Sequence, residues 1–302
     1  MKFGIIIPLG EDQETNNCPP YGDIRSWAKK ADEAGLDSVW IYDHLLYRFP
    51  DQPTLGVWEA FTMWTALAEA TAKVELGALV VCTAFRNPAI VAKMAVTLDA
   101  ISDGRIILGL GAGWHEPEFK AFGVPFERRV DQFEEAIKII TPLVREGKVD
   151  FTGEFYSAPD CEMRPQPQRP IPVLIASKGP RMLGLTAEYA DQWNLAWYGR
   201  VAPFLEQREK LYAALDEAGR ARDSMTITTG INVNFPDLED IGELADNKDK
   251  WISGTVDDVA AALAEYADAG VDHVIANITP LTEESIERFA QAREMVLGRV
   301  TA

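Results

Sequence analysis

The chain has 302 residues, 47% hydrophobic and 25% charged, with a formal net charge of −18. That length is long for a compact domain but ordinary for a closed barrel, no apolar run approaches the roughly 20 residues of a membrane span, and so acidic a chain suits neither nucleic acid nor an anionic membrane. Cys18, Cys82 and Cys161 are widely spaced and odd in number, which excludes a disulfide framework or zinc spacing and fits a reducing compartment, most simply the cytoplasm.

Strand and helix signals then alternate. MKFGIIIPLG is too short for a signal peptide and reads as a first strand, Lys2–Pro8. Asp23–Ala34 is expected to be a helix with Ile24, Trp27, Ala28 and Ala31 on one face, followed by a strand over Ser38–Asp43 and a helix over Trp58–Ala70. Val74–Val81 is an apolar run without alternation, as in a parallel strand buried on both faces. Asn87-Pro88 is a helix start, with an N-cap side chain and then proline where its missing N–H costs nothing. Ile90, Val91, Met94, Ala95, Leu98 and Ile101 follow at helical spacing, and Gly104 is placed to stop the helix. Ile106–Ala112 is the next strand, ending at Gly113 and Trp114.

The same rhythm continues with a helix over Arg129–Arg145, a strand over Pro172–Ser177 and a helix over Pro180–Tyr189. Gln192–Trp197, Pro203–Ala218, Met225–Phe235, Thr255–Ala269, His273–Thr279 and Thr282–Leu297 complete eight strand–helix pairs, with no linker between halves. The expected architecture is therefore one domain over residues 1–302, α/β in class, a (β/α)8 TIM barrel with insertions in its mouth loops. A doubly wound open sheet is the alternative, because strand count alone does not show closure. A helix-to-strand turn is used twice, as AGLDSV at 34–39 and AGVDHV at 269–274. Leu45–Val57 and Asn234–Gly254 leave from the C-terminal rim as candidate lids; Asp150–Arg169 follows a helix and could reach the rim only along the barrel wall.

In α/β folds ligands sit at strand C-termini, which gathers Cys82, Thr83, Arg86, Trp114 and His115 on one rim. Asp43-His44 ends the second strand there: histidine can move a proton near neutral pH and aspartate can orient it, although Asp43 could equally cap the loop. Leu79–Thr83 could contact a ligand by backbone or be plain core. In Gly109-Leu-Gly-Ala-Gly-Trp114 the glycines allow close backbone approach, but their spacing is not a dinucleotide fingerprint. Trp114 could stack on a planar ring or simply cover the mouth. Ser177-Lys178-Gly179-Pro180-Arg181 opens a helix with two cations and free N–H groups, the best phosphate cradle in an acidic chain. His115 competes with His44 for the same mouth, while His273 begins its strand at the wrong end for catalysis. No group of residues has metal-ligand spacing.

Taken in order, these motifs resemble a known family. Phe3-Gly-Ile-Ile-Ile-Pro8, Ala34-Gly-Leu-Asp-Ser-Val-Trp40 with Asp43-His44, Leu76-Gly77, Arg86-Asn-Pro88 with Ala92-Lys93, Thr97-Leu-Asp99, Ser102-Asp-Gly-Arg105, Leu108-Gly-Leu-Gly-Ala-Gly-Trp114 and Ala190-Asp-Gln-Trp193 look like the luciferase-like monooxygenase family over nearly the whole chain. The resemblance implies an eight-stranded barrel with a deazaflavin (coenzyme F420) or flavin (FMN) ring at its mouth. It places the family's strand-three bulge, often a non-prolyl cis peptide, near Leu79-Val80, and Cys82 beside the ring. It has Ala112, Gly113 and Trp114 line the cofactor, Ala176, Ser177, Lys178 and Gly179 take its phosphate, and His44 sit near the reactive centre. The wording of the motifs is closer to the F420 branch, which implies hydride transfer to or from a small organic molecule. The alternatives are a reduced-FMN monooxygenase fed by a separate flavin reductase, and a flavin-binding relative without turnover. A homodimer is possible. In the sugar-phosphate dehydrogenase branch a glutamate follows the strand-four glycines; Trp114 stands there instead, which argues against that substrate.

Overall fold

The computed structural model describes residues 1–12, 15 and 17–300. Eight parallel strands form the barrel: β1 (Lys2–Ile6), β2 (Ser38–Ile41), β3 (Glu75–Ala78), β4 (Ile106–Gly111), β5 (Val173–Ala176), β6 (Gln192–Tyr198), β7 (Thr226–Asn234) and β8 (His273–Thr279). β8 pairs with both β7 and β1. The ring closes where β5 pairs with β4, Leu174 opposite Gly109. The open-sheet alternative is thereby excluded.

Helices α1 (Tyr21–Glu33), α2 (Ala60–Ala70), α3 (Pro88–Ile101), α4 (Glu116–Ala121), α5 (Arg129–Arg145), α6 (Pro180–Tyr189), α7 (Ala202–Glu217), α8 (Val256–Asp268) and α9 (Glu283–Val300) follow the strands. The cap at α3 is as expected, with Asn87 accepting from the N–H groups of Ala89 and Ile90. Its buried face is the expected one only in part: Val91, Ala95 and Leu98 are buried together with Ala92 and Val96, whereas Ile90 and Ile101 are 56% and 44% exposed. The small side chains let α3 lie close to the barrel, and its inner stripe is shifted toward Ala92 and Val96.

β3 is shorter than its apolar run. The ladder stops at Ala78, the Leu79–Val80 peptide is cis, and pairing resumes at Val81–Cys82 against Leu110 and Gly111. A second non-prolyl cis peptide, Ala196–Trp197, lies in β6 where its register with β7 shifts. Two excursions fold over the mouth. Residues 45–57 make a small hairpin of Leu46–Tyr47 against Leu55–Gly56. The segment after β7 returns as Ile252–Ser253, paired with β7, and its Lys248 and Asp249 carbonyls bind the end of β6 at Arg200 and Gly199. The third insertion is an antiparallel hairpin, Lys148–Thr152 with Ser157–Glu162. It climbs α5, where Glu135 accepts the N–H groups of Glu154, Phe155 and Tyr156.

Most of the core lies between strands and helices, but Ile6, Trp40, Ile107, Leu174 and Ile275 form a separate cluster inside the barrel. Trp40 fills its centre. A Cβ at Gly77 would lie 2.2 Å from the indole, and one at Gly4 would lie 2.0 Å from Ser38 Oγ. Trp40 Nε1 donates to Ser38 Oγ at 2.7 Å, and Ser38 Oγ lies 2.7 Å from His273 Nε2. Loss of water, aided by the Lys2 and N-terminal charges, pushes the His273 pKa down to about 3. A neutral imidazole can accept the Ser38 O–H there, which is a structural role at the lower end of the barrel.

This burial has a pH signature. The folded state keeps His273 neutral until pH falls to about 3, whereas the unfolded chain takes up the proton near the ordinary histidine value of 6.5. The unfolded state therefore binds more protons in that window, and stability falls as pH falls through it. Between pH 7 and 5 this residue should account for about 2 kcal/mol of lost stability. His273→Asn, less stable at pH 7, should show a decline smaller by about that amount in urea unfolding at the two pH values. Equal declines in both proteins would show that His273 is protonated as readily in the fold as out of it.

Candidate active site

A cavity of about 440 Å³ opens at the C-terminal ends of β2–β5. Asp43 and His44 reach it from β2, and Leu79, Val80 and Cys82 from the break in β3. Ala112, Gly113 and Trp114 come from the end of β4, and Ala176, Ser177 and Lys178 from the end of β5. Gly179, the N-cap of α6, adjoins Lys178 outside the lining. Glu118, Arg129, Val130 and Met182 also line it, and the sequence did not single them out.

The β4 glycines serve the barrel itself. A Cβ at Gly109 would lie 1.9 Å from the Ala78 carbonyl oxygen, and one at Gly111 would lie 2.6 Å from Val80 Cγ2. Both admit the β3 break; Gly109 does not line the cavity, so the expectation of ligand approach is corrected there, whereas Gly111 does line it. Gly113 has φ +79°, and a Cβ there would meet Phe119 at 2.5 Å and Cys82 Sγ at 2.8 Å. Burial pushes the Cys82 thiol up to about 12, so it remains a neutral wall residue.

The carboxylate that orients His44 is Glu118, not Asp43. Glu118 Oε1 lies 2.8 Å from His44 Nδ1, and its other oxygen accepts the Leu45 N–H at 2.7 Å. Glu118 is 1% exposed. A carboxylate against Nδ1 makes that nitrogen the donor and leaves Nε2 for the cavity. Asp43 is engaged elsewhere. Arg86 grips it with two N–H groups at 2.7 and 3.1 Å, and the Cys82 N–H donates to it at 3.1 Å. Loss of water pushes the Asp43 carboxyl upward while Arg86 opposes the shift. His115, the competitor, is buried, and its Nε2 accepts the Arg48 N–H at 2.9 Å. Burial lowers its pKa and keeps it a neutral acceptor. It pins the 46–56 hairpin through Nε2 and does not line the cavity.

At the other end of the cavity the cations are sorted by their partners. Arg181 is tied to Asp131 and Glu134, so the expectation of two cations in the cradle is corrected. Lys178 is exposed with no partner among the described residues, and the N–H groups of Lys178 and Gly179 likewise donate to nothing there. The second cation is Arg129, whose Nε donates to the Gly113 carbonyl at 3.2 Å while its guanidinium lies 4.3 Å from the Phe126 ring centroid. Ser177 Oγ is bonded to Thr186 Oγ1 at 2.8 Å, so its side chain is committed. Among the described residues no group of acidic, histidine or cysteine side chains could hold a metal. No helix among them is long and apolar enough to cross a membrane.

The profile of luciferase-like monooxygenases matches residues 1–239. The chain belongs to that family. It is 27% identical to an F420-dependent glucose-6-phosphate dehydrogenase of Amycolatopsis mediterranei, over 84% of this chain and 87% of that one. It is 32% identical to the pyrimidine monooxygenase RutA of Cronobacter turicensis, over 94% of this chain and 73% of that one. Two further RutA chains are spanned over 64% and 65% of their length. The fold is also that of an F420-dependent secondary alcohol dehydrogenase solved with an F420-acetone adduct, with a TM-score of 0.80 at 20% identity over 98% of both chains. The protein is an enzyme of this superfamily, an oxidoreductase or monooxygenase.

Glu118 should be the costliest of these side chains to remove. Glu118→Ala leaves the Leu45 N–H and His44 Nδ1 without their acceptor, which should cost about 2–3 kcal/mol in unfolding free energy. Hydrogen exchange at the Leu45 amide should accelerate. Glu118→Gln, which keeps an acceptor oxygen, should lose less of both. Unchanged exchange at Leu45 in the alanine variant would remove this bond from the account.

Proposed function

We propose that the enzyme transfers a hydride between coenzyme F420 and a small organic molecule bound at the barrel mouth. One observation carries the reading: a histidine backed by a buried carboxylate faces a cavity that is also lined by Lys178, a cation without a partner among the described residues, and by Arg129. The residues fit such a cofactor. Val80, Ala112, Gly113 and Ala176 leave room for a flat ring, and Lys178, Arg129 and the free N–H groups at the start of α6 suit a phosphate in a chain of net charge −18.

A bound deazaflavin supplies a two-electron hydride carrier that does not usefully activate oxygen. The chain's part is to hold the anionic tail, exclude water and move the proton that balances the hydride. When a substrate C–H gives up hydride, the proton on its neighbouring oxygen goes to His44 Nε2; in the reverse direction the same nitrogen returns it. The imidazolium charge so formed lies beside Glu118, which is 2.8 Å from Nδ1. A sugar phosphate is not the substrate we propose, because Trp114 occupies the place of that branch's glutamate.

The second reading is a monooxygenase using reduced FMN, O2 and a separate reductase. The identity to RutA, 32% over 94% of the chain, favours it. Titrating F420 and FMN separately, then measuring hydride transfer and oxygen uptake, decides between the two. Tight FMN binding with substrate-dependent oxygen uptake would replace the first reading.

Under the first reading, His44→Ala should lower turnover by ~10²–10⁴-fold with little change in cofactor affinity. Full turnover in that variant would move the proton to water or another group. Lys178→Ala should weaken cofactor binding by about one to two decades, the worth of roughly 1.5–3 kcal/mol in a charge-assisted contact. It should also flatten the salt dependence of binding. Unchanged affinity and salt dependence would place the phosphate elsewhere.

A further inference from the structure

Among the described residues eight large apolar side chains are well exposed, and of these Trp114 alone lines the cavity. It is 59% exposed. Singly exposed apolar side chains are ordinary on a surface, so exposure by itself says little. The position of the ring says more. Trp114 follows Gly113, whose φ of +79° turns the chain out of β4 and whose carbonyl is held by Arg129 Nε. The indole then leans toward the β2 side of the mouth. It meets His44 edge to face, with ring centroids 5.5 Å apart at 77°, and His115 at 5.0 Å and 59°. His44 follows β2 and His115 follows β4, whereas Lys178 comes from the end of β5. The broadest apolar face in the cavity thus stands beside the ring of the residue read as the proton-transfer group. The wall continues behind it in aromatic rings: Tyr47 lies 4.5 Å from His44, and Phe49 lies 5.1 Å from His115.

We propose that Trp114 is the platform on which the substrate lies, and that the substrate is a planar aromatic or heteroaromatic molecule carrying a hydroxyl or carbonyl for His44. An open indole face is complementary to another π face, and its gain over a saturated ring of the same size comes from that stacking. The proposal rests on the reading of His44 as the proton-transfer group and moves Trp114 from the cofactor's lining to the substrate's.

The test uses 2-naphthol and decahydro-2-naphthol, matched in carbon frame and hydroxyl but not in planarity. Affinities are measured by calorimetry on the full chain, alone and saturated with F420 or FMN. The wild-type chain should prefer the planar probe by about tenfold. Trp114→Ala should lose that preference while its cofactor affinity stays within about twofold, and Trp114→Phe should keep most of it. Equal affinity for the two probes in the wild type, or a preference that survives in Trp114→Ala, would overturn the proposal. So would a larger loss for cofactor than for 2-naphthol in that variant, since the indole would then belong to the cofactor. If neither cofactor binds, the hydride-transfer reading fails, and the probe preference measured without cofactor still decides the role of Trp114.

Discussion

The barrel depends on one side chain being allowed to fill its centre. Trp40 occupies space that any Cβ at Gly77 would take, and Ser38, against which Gly4 fits, receives its N–H. A tryptophan buried with its one donor satisfied brings a large apolar area without an unpaired polar group. With Ile6, Ile107, Leu174 and Ile275 around it, the interior is solid. The active-site cavity therefore lies above this plug, at the strand C-termini. There the lining comes from β2–β5, while the excursion that returns as Ile252–Ser253 packs over the ends of β6 and β7.

A second constraint joins the plug to the site. Asp43 and Arg86 form a buried, two-pronged ion pair, and the same carboxylate takes the Cys82 N–H. Arg86 goes on to Glu59, whose side chain caps α2. Burying such a pair is weak evidence for stability, because desolvation offsets most of the attraction. Its effect is geometric. It fastens the end of β2 to the resumed strand after the β3 break, and so fixes the distance between His44 and the small-residue wall formed by Val80 and Ala112.

The alternation of strands and helices was legible because each element carries its own period and punctuation. Arg129–Arg145, Pro180–Tyr189 and His273–Thr279 begin and end where the sequence places them. His44 was legible from its place at a strand end. Glu118 was not: it lies 74 residues away on a six-residue helix too short to show a period. Arg129 and Arg181 both open helices after strand ends, and only packing decides that the first faces the cavity and the second faces Asp131 and Glu134. The β4 glycines read equally as ligand contacts or as room for a neighbouring strand, since absence of a Cβ does not say what fills the space. Ile90 and Ile101 misled because period without partner cannot fix which part of an apolar helix faces in.

Glu118 holds the ring of His44 with one oxygen and the backbone of the very next residue with the other. A single carboxylate thus registers a side chain and the start of the loop that carries it. Any replacement must satisfy an imidazole and an amide at once, from a position closed to solvent. Trp114, four residues earlier, carries no such double duty: its indole makes no hydrogen bond and more than half of it is open. Adaptation to a new substrate is therefore cheap at 114 and expensive at 118. The fold separates the part of the site that evolution can vary from the part it must leave alone, within a single turn of chain.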